Sequence, residues 1–351
     1  MSESMTTQPA IRVRHLWHRF GRFDVLRDVS FDVQHGEIFG FIGPNGAGTT
    51  TTIRVMATLL EPLAGRVEID GLDVTIDPER VRKIIGYMPD HAGVYDRVTV
   101  REYLEFFADA YRVPTAGTSY AVVDAVMELT DLTKLREKLV ATMSKGMKQR
   151  LQLARTLLHD PKVLILDEPA SDLDPRARIE IRDLLVELRS MGKTIFLSSH
   201  ILTELADVCT SVAILERGRL IVSGPISEIA RRLELGAGSG PAVQPAPAQY
   251  PPNAVHANVP PPQPEVPKRN VKVRALAPGE AVAAALTGLP FVYKVAPGPA
   301  GTVVVTYAGD DQTVALVVRA IVMAGIPVAG VEPERNELER IFLEVTKGEV
   351  Q

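Results

Sequence analysis

The stretch 43-GPNGAGTTTT-52 sets Gly43, Gly46 and Gly48 around Pro44, Asn45 and Ala47, and follows them with the hydroxyls of Thr49, Thr50 and Thr51. A strand pattern, 37-EIFGFI-42, runs into Gly43, and a helical pattern, 50-TTTIRVMATLL-60, leaves the loop. Glycines between a strand and a helix let backbone N–H groups converge, and the helix start adds a positive dipole. Such a loop is built to hold a phosphate. The pattern G-x-x-x-x-G-K-[ST] would carry lysine where Thr49 stands, and Thr50 holds the position whose hydroxyl meets Mg²⁺. A second stretch, 163-VLILDEP-169, ends an apolar strand in Asp167 and Glu168. Two carboxylates then stand at the mouth where ligands meet open α/β sheets, one suited to hold Mg²⁺ and the other to polarise water as a general base. A third run, 194-TIFLSS-199, delivers His200 from a strand end.

These residues need a scaffold, and the first 235 residues supply an α/β pattern. Short β-rich runs (36-GEIFGFIG-43, 163-VLIL-166, 194-TIFLSS-199, 211-SVAILERGRLIVSG-224) alternate with helical stretches. Runs as apolar as 163-VLIL-166 are expected at the centre of a mostly parallel sheet buried on both faces. Residues of about 91–145 carry few strand signals and read as a helical subdomain. Within them 99-TVREYLEFFADAYRV-113 places Tyr103, Phe106, Phe107 and Tyr111 near one helix face, where they are expected in the core.

From 236 to 268 the composition changes abruptly, with ten prolines between Pro241 and Pro267. Proline fixes φ and lacks the donor, so this segment reads as an extended linker, with docking of a proline motif as the alternative. Residues 269–351 then alternate strand and helix patterns as a small α+β domain. In its tail, 338-LERIFLEV-345, Leu338, Ile341, Phe342 and Val345 recur at helical spacing, an amphipathic helix that must pack on something.

Composition narrows the class. The formal charge is −4 with 23% charged residues, which gives no electrostatic case for nucleic acid as a partner. Cys209 is the only cysteine, so neither an internal disulfide nor a cysteine metal site is expected, in keeping with a reducing cytosol. The N-terminus lacks a signal pattern, and the most apolar run, 313–331, is broken by Arg319 and Pro327 and reads as helix, turn and strand.

In order and spacing, 43-GPNGAGTT-50, 143-MSKGMKQRLQLARTLLHDPKVLILDEPASDLDP-175 and the histidine after 194-TIFLSS-199 resemble the ATP-binding cassette (ABC) ATPases over residues of about 10–225. The phrase SKGMKQRL, the domain after the linker and the tail are similar to single-cassette subunits of exporters. The resemblance implies a P-loop NTPase-type fold: a mostly parallel sheet core, an antiparallel β subdomain and a helical subdomain. It also implies ATP and Mg²⁺ as cofactors, a second cassette as dimer partner, polytopic permease subunits, and a place on the inner face of the cell membrane through that permease.

Site roles follow from the same resemblance. Phe20 in 17-WHRFG-21 matches the aromatic that stacks on adenine, and Gly43 through Thr51 match the phosphate loop. Asp90 in 86-GYMPD-90 stands where the family usually has glutamine, and remains able to ligate Mg²⁺ or water. Ser144, Gly146 and Met147 match the signature loop, which in the family contacts the γ-phosphate bound to the opposite subunit. There Lys145 replaces a glycine and Met147 the usual glutamine. Asp174 matches the loop that speaks across the dimer, His200 the switch histidine, and Glu168 the general base.

Threonine is too short and uncharged to do the work of the lysine, so turnover should suffer most and nucleotide binding less. Three accounts stay open: a substituted but otherwise complete ATPase, a degenerate cassette serving a competent partner or a non-hydrolytic regulatory role, and a compensating cation such as Lys145 reaching across a dimer.

Overall fold

The computed structural model describes residues 8–90, 93–113, 121–234, 268–297, 302–308 and 311–333, together with Leu338, Ile341 and Phe342. The proline-rich linker 236–268, except Lys268, and Val345 of the tail lie outside the described residues. The chain divides into two units, Met1–Ala248 with Glu337–Gln351, and Gln249–Asn336.

The first unit opens with β1 (Ile11–Phe20), β2 (Phe23–Val33) and β3 (Ile38–Ile42), followed by α1 (Thr49–Met56). Next come β4 (Ala64–Ile69), β5 (Leu72–Asp73), α2 (Pro78–Ile84), β6 (Ile85–Met88), α3 (Val100–Ala110), α4 (Ala121–Leu129) and α5 (Lys145–Leu157). It continues through β7 (Val163–Asp167), α6 (Pro175–Ser190), β8 (Thr194–Ser199), α7 (Leu202–Ala206), β9 (Ser211–Glu216), β10 (Arg219–Pro225) and α8 (Ile226–Glu234).

Six strands in the order β10-β9-β3-β8-β7-β6 make the central sheet. All are parallel except β10, which returns from β9 through a two-residue turn. Arg217 and Gly218 both have positive φ there, the type I′ geometry whose twist suits a hairpin, so the run 211–224 is two strands rather than one. The strands β3, β7 and β8 are buried along their whole length, which explains their near-continuous apolar sequence. Alternation sorts their side chains. Phe39, Phe41, Ile165 and Phe196 face one core, shared with the antiparallel sheet β2-β1-β4-β5 and with α1. Ile38, Ile42, Leu164, Leu166, Ile195 and Leu197 face the other, shared with α3 to α6.

Between β6 and β7 lie the helices α3, α4 and α5, and the entry to α3 is fixed by chemistry. Thr99 caps α3 by accepting from the Glu102 amide, while Glu102 accepts from the Thr99 amide at 2.7 Å. The aromatic expectation there needs correcting. Tyr103 is buried and Phe107 packs against the core, but Phe106 is 54% exposed and Tyr111 41% exposed. Residues four apart stay on one helix face whereas Phe106 is rotated off it, and Tyr111 sits past the helix end.

The second unit consists of β11 (Lys268–Ala275), α9 (Gly279–Leu286), β12 (Val292–Pro297), β13 (Thr302–Ala308), α10 (Asp311–Met323) and β14 (Val328–Pro333). The sheet order is β12-β13-β11-β14 with antiparallel neighbours throughout, the βαββαβ arrangement of ferredoxin-like domains. Val271, Val273, Val303, Val305 and Tyr307 meet Val282, Leu286, Val317 and Ile321 of the two helices. The apolar run 313–331 is thus most of α10, a turn at Gly325 and the start of β14. Among the described residues no helix is long and apolar enough to cross a membrane.

The tail departs from its expected place in the small domain. Leu338 and Ile341 are fully buried in the core of the first unit, and Phe342 packs against them. The surface that the amphipathic pattern calls for is therefore that of the first unit. Truncating Leu338 or Ile341 to alanine should lower stability of the full chain by about 2–4 kcal/mol, as for buried aliphatic side chains elsewhere. Urea denaturation measures it, and a loss below about 0.5 kcal/mol would detach the tail from that core.

Candidate nucleotide site

Strand register brings the singled-out residues to one sheet edge. Ile42 pairs with Ser199, Asp167 with Ser198, and Met88 with Leu166. The C-terminal ends of β3, β8, β7 and β6 therefore line up, and the residues that follow them (Gly43, His200, Glu168, Asp90) leave the sheet side by side.

The loop after β3 turns sharply before α1. Gly48 caps the helix with φ +108°, and an added Cβ there would stand 2.6 Å from Leu26 and 3.0 Å from the Val25 carbonyl oxygen. No side chain fits that backbone position. Gly46 is also left-handed, the Ala47 amide donates to the Pro44 carbonyl at 2.9 Å, and the Ala47 carbonyl accepts from the Gly218 amide at 2.9 Å. Pro44, Asn45 and Gly46 form the exposed crest, Thr49 is half-buried and Thr50 exposed on the first turn. The turn is anchored at both ends while its crest stays open, as an anion cradle requires.

Opposite stands the carboxylate pair. Asp167 is 3% exposed, and accepts from the Ser198 hydroxyl at 2.7 Å and from Thr50. Burial pushes its carboxyl above the usual range and the charge of Asp90 adds to this, against the two hydroxyls and Arg54. Glu168 occupies left-handed backbone at φ +51°, a strained conformation for a non-glycine residue. Its amide donates to the Ser198 hydroxyl oxygen at 3.0 Å, and its carboxylate lies 2.9 Å from Nδ1 of His200. Burial raises this carboxyl as well, opposed mainly by His200, while Asp167 and Asp90 push it further up. Asp90, Asp167, Glu168, Thr50 and His200 thus form one electrostatic unit. Its oxygen donors, the Thr50 hydroxyl and a desolvated Asp167 carboxylate beside Asp90, fit the hard-oxygen preference of Mg²⁺.

A second group gathers around α5 and the start of α6. Ser144 caps α5 by accepting from the Met147 amide at 3.3 Å, and Asp174 caps α6 by accepting from the Ala177 amide at 2.9 Å. An added Cβ on Gly146 would meet the Ala177 Cβ at 2.9 Å, so only glycine lets the two helices come this close. Lys145 reaches Asp172 at 2.8 Å within its own chain, in an ion pair exposed to solvent.

Phe20 ends β1 with half its surface exposed, its ring 4.6 Å from that of His18 and edge-on to it. Two functional neighbours escaped the sequence reading. Ser198 joins Asp167 to the Glu168 backbone, and the two serines that close the strand 194-TIFLSS-199 were the signal for it. Buried Gln149 donates to the Pro169 carbonyl oxygen at 2.8 Å, tying α5 to the turn that follows the carboxylates. Its polarity on the buried face of α5 could have marked it.

Comparison with known proteins agrees with this geometry. The ABC transporter family pattern matches residues 26–171. The daunorubicin resistance ATP-binding protein of Streptomyces coeruleorubidus is 37% identical over 63% of this chain and 69% of its own length. This chain belongs to the ABC transporter ATP-binding family. An uncharacterized ABC transporter ATP-binding protein of Bacillus subtilis is 43% identical, over 56% of this chain and 64% of that relative, so the match spans under two thirds of its length. The solved ATP-binding subunit of an ABC transporter superposes with a TM-score of 0.57 at 33% identity, covering 66% of this chain and 95% of its own. The cassette is thus the matched part, and the fold is that of a P-loop ABC cassette.

The raised carboxyls set a pH dependence. Glu168 binds its proton more tightly folded than unfolded, so at neutral pH its buried charge opposes folding, and below the unfolded value near 4.3 that penalty is gone. Glu168→Gln should therefore raise the melting temperature of the ligand-free chain at pH 7 by roughly 1–3 °C, an advantage that disappears as the pH falls to about 4. Thermal melting across that range checks the sign.

Proposed function

We propose that this chain is the ATP-binding subunit of an exporter, pairing with a second cassette around two nucleotides and driving separate membrane permease subunits from the cytoplasmic face. The observation that carries the reading is the convergence of Asp167, Glu168 and His200 on one sheet edge with the phosphate loop. The exporter assignment draws support from the drug-resistance name of the Streptomyces relative.

In this reading Phe20 stacks on the adenine, and backbone N–H groups of the loop between Asn45 and Thr51 hold the β-phosphate. Thr50 and Asp167, with Asp90, would hold Mg²⁺, which when bound neutralises phosphate charge. Glu168 takes a proton from the attacking water. Its raised carboxyl suits it, because a base that titrates closer to neutrality accepts and returns a proton more readily, while the His200 contact fixes its position. His200 holds that carboxylate and reaches toward the γ-phosphate. Ser144, Gly146, Met147 and Asp174 of the second copy complete the site.

Thr49 is the weak part. With no ammonium near the transferring phosphate, hydrolysis should be slow while binding persists. The same residue favours a second reading, a cassette that binds nucleotide for a regulatory role without turning it over. Steady-state ATPase assays on the chain and on Thr49→Lys separate the two. A gain of about a hundredfold or more, abolished by adding Glu168→Gln, supports a damaged ATPase. Equal rates support the non-hydrolytic role.

A further inference from the structure

We propose that Thr49 and Asp90 act together as specificity-determining residues, making this cassette take metal-complexed ATP and reject the metal-free nucleotide. The inference rests on the nucleotide-binding reading above and adds a requirement to it.

The charges around the loop carry the argument. Residues 43–51 include no lysine or arginine. At the same sheet edge stand three carboxylates. The register that pairs Met88 with Leu166 and Asp167 with Ser198 brings Asp90, two residues beyond β6, to the edge that carries Asp167 and Glu168, and its charge acts on both. Against them the cationic or ionisable partners are Arg54, an exposed residue near the end of α1 that acts on Asp167, and His200, which is held by Glu168. Lys145 of the second group forms an exposed ion pair with Asp172 in its own chain. The phosphates of free ATP carry about four negative charges and would enter a site whose own side chains lean negative.

Backbone amides at the loop and the α1 dipole offer only partial positive charge, on the order of half a unit. A divalent ion changes the balance, because it neutralises two phosphate charges and gives Asp167, Asp90 and the Thr50 hydroxyl a cation to face. Lysine at position 49 would provide a permanent charge whether or not metal is present. Threonine leaves that task to the ion, and Asp90 raises the demand for it. The two residues thus work in the same direction on the same step, entry of the triphosphate.

Unit charges about 6 Å apart at an effective dielectric near 20 change affinity by roughly a hundredfold. Calorimetric titration of the full chain with ATP, once in excess magnesium chloride and once in EDTA, reads the effect without turnover. The native chain should bind at least about a hundredfold more weakly in EDTA. Thr49→Lys should shrink that ratio to below about tenfold by tightening the EDTA arm, and Asp90→Asn should shrink it by a smaller factor. Thermal melting of each variant verifies that it is folded.

Affinities within about threefold in the two buffers, or a ratio that Thr49→Lys leaves unmoved, would overturn the proposal and leave the family reading standing. Binding by Thr49→Lys with none by the native chain in magnesium would also overturn it, since Thr49 would then close the site altogether. Absence of binding by both chains in both buffers would remove the nucleotide-binding reading itself, and the inference with it.

Discussion

A buried carboxylate beside a strained one is the constraint around which this cassette is arranged. Asp167 sits almost without solvent at the end of β7, and Glu168 follows it in left-handed backbone. Neither is comfortable alone, since burial pushes both carboxyls up, the charge of Asp90 adds to each, and Asp167 adds to Glu168. The neighbouring strand answers with Ser198, whose hydroxyl donates to Asp167 while its oxygen accepts the Glu168 amide. The next residue but one, His200, takes the Glu168 carboxylate. The parallel register that pairs Asp167 with Ser198 is therefore also what holds the chemical groups at fixed positions. A slip of one residue would turn Ser198 to the opposite face and leave the buried carboxylate without its donor.

The sheet follows from that need. Its strands are buried on both faces, so register is set by two cores at once, aromatic on one side and aliphatic on the other. Phe31, Phe39, Phe41 and Phe196 stack with ring centroids 5.2–5.9 Å apart under the phosphate-loop side. Such a packed layer resists sliding, which turns a set of strand ends into a rigid edge. Rigid placement matters because the work expected of the site is positioning and electrostatics rather than covalent chemistry.

Much of this was legible in the sequence because the informative residues are punctuation. Glycines at 43, 46 and 48 must be glycines for backbone reasons, and carboxylates at the end of an apolar strand are costly enough to need a purpose. What was not legible depends on partners far apart in the chain. Ser198 gains its meaning from Asp167, thirty-one residues away, and Gln149 from Pro169, twenty residues away. The exposed rings of Phe106 and Tyr111 show the same limit, since a helix face cannot be assigned to the core until its neighbours are known. The tail was readable as amphipathic, but not as belonging to the first unit. The second unit was readable as alternating strands and helices. Its βαββαβ order depends on β11 lying between β13 and β14, which no local pattern encodes.

The substitution at position 49 has to be weighed against what remains around it. A strained Glu168 and an unsolvated Asp167 each cost stability in the chain, whereas the two loop glycines take left-handed backbone without steric strain. In the proposed reading, threonine at 49 changes where the compensating positive charge comes from, and the ion that accompanies the nucleotide takes the part a lysine ammonium would have played.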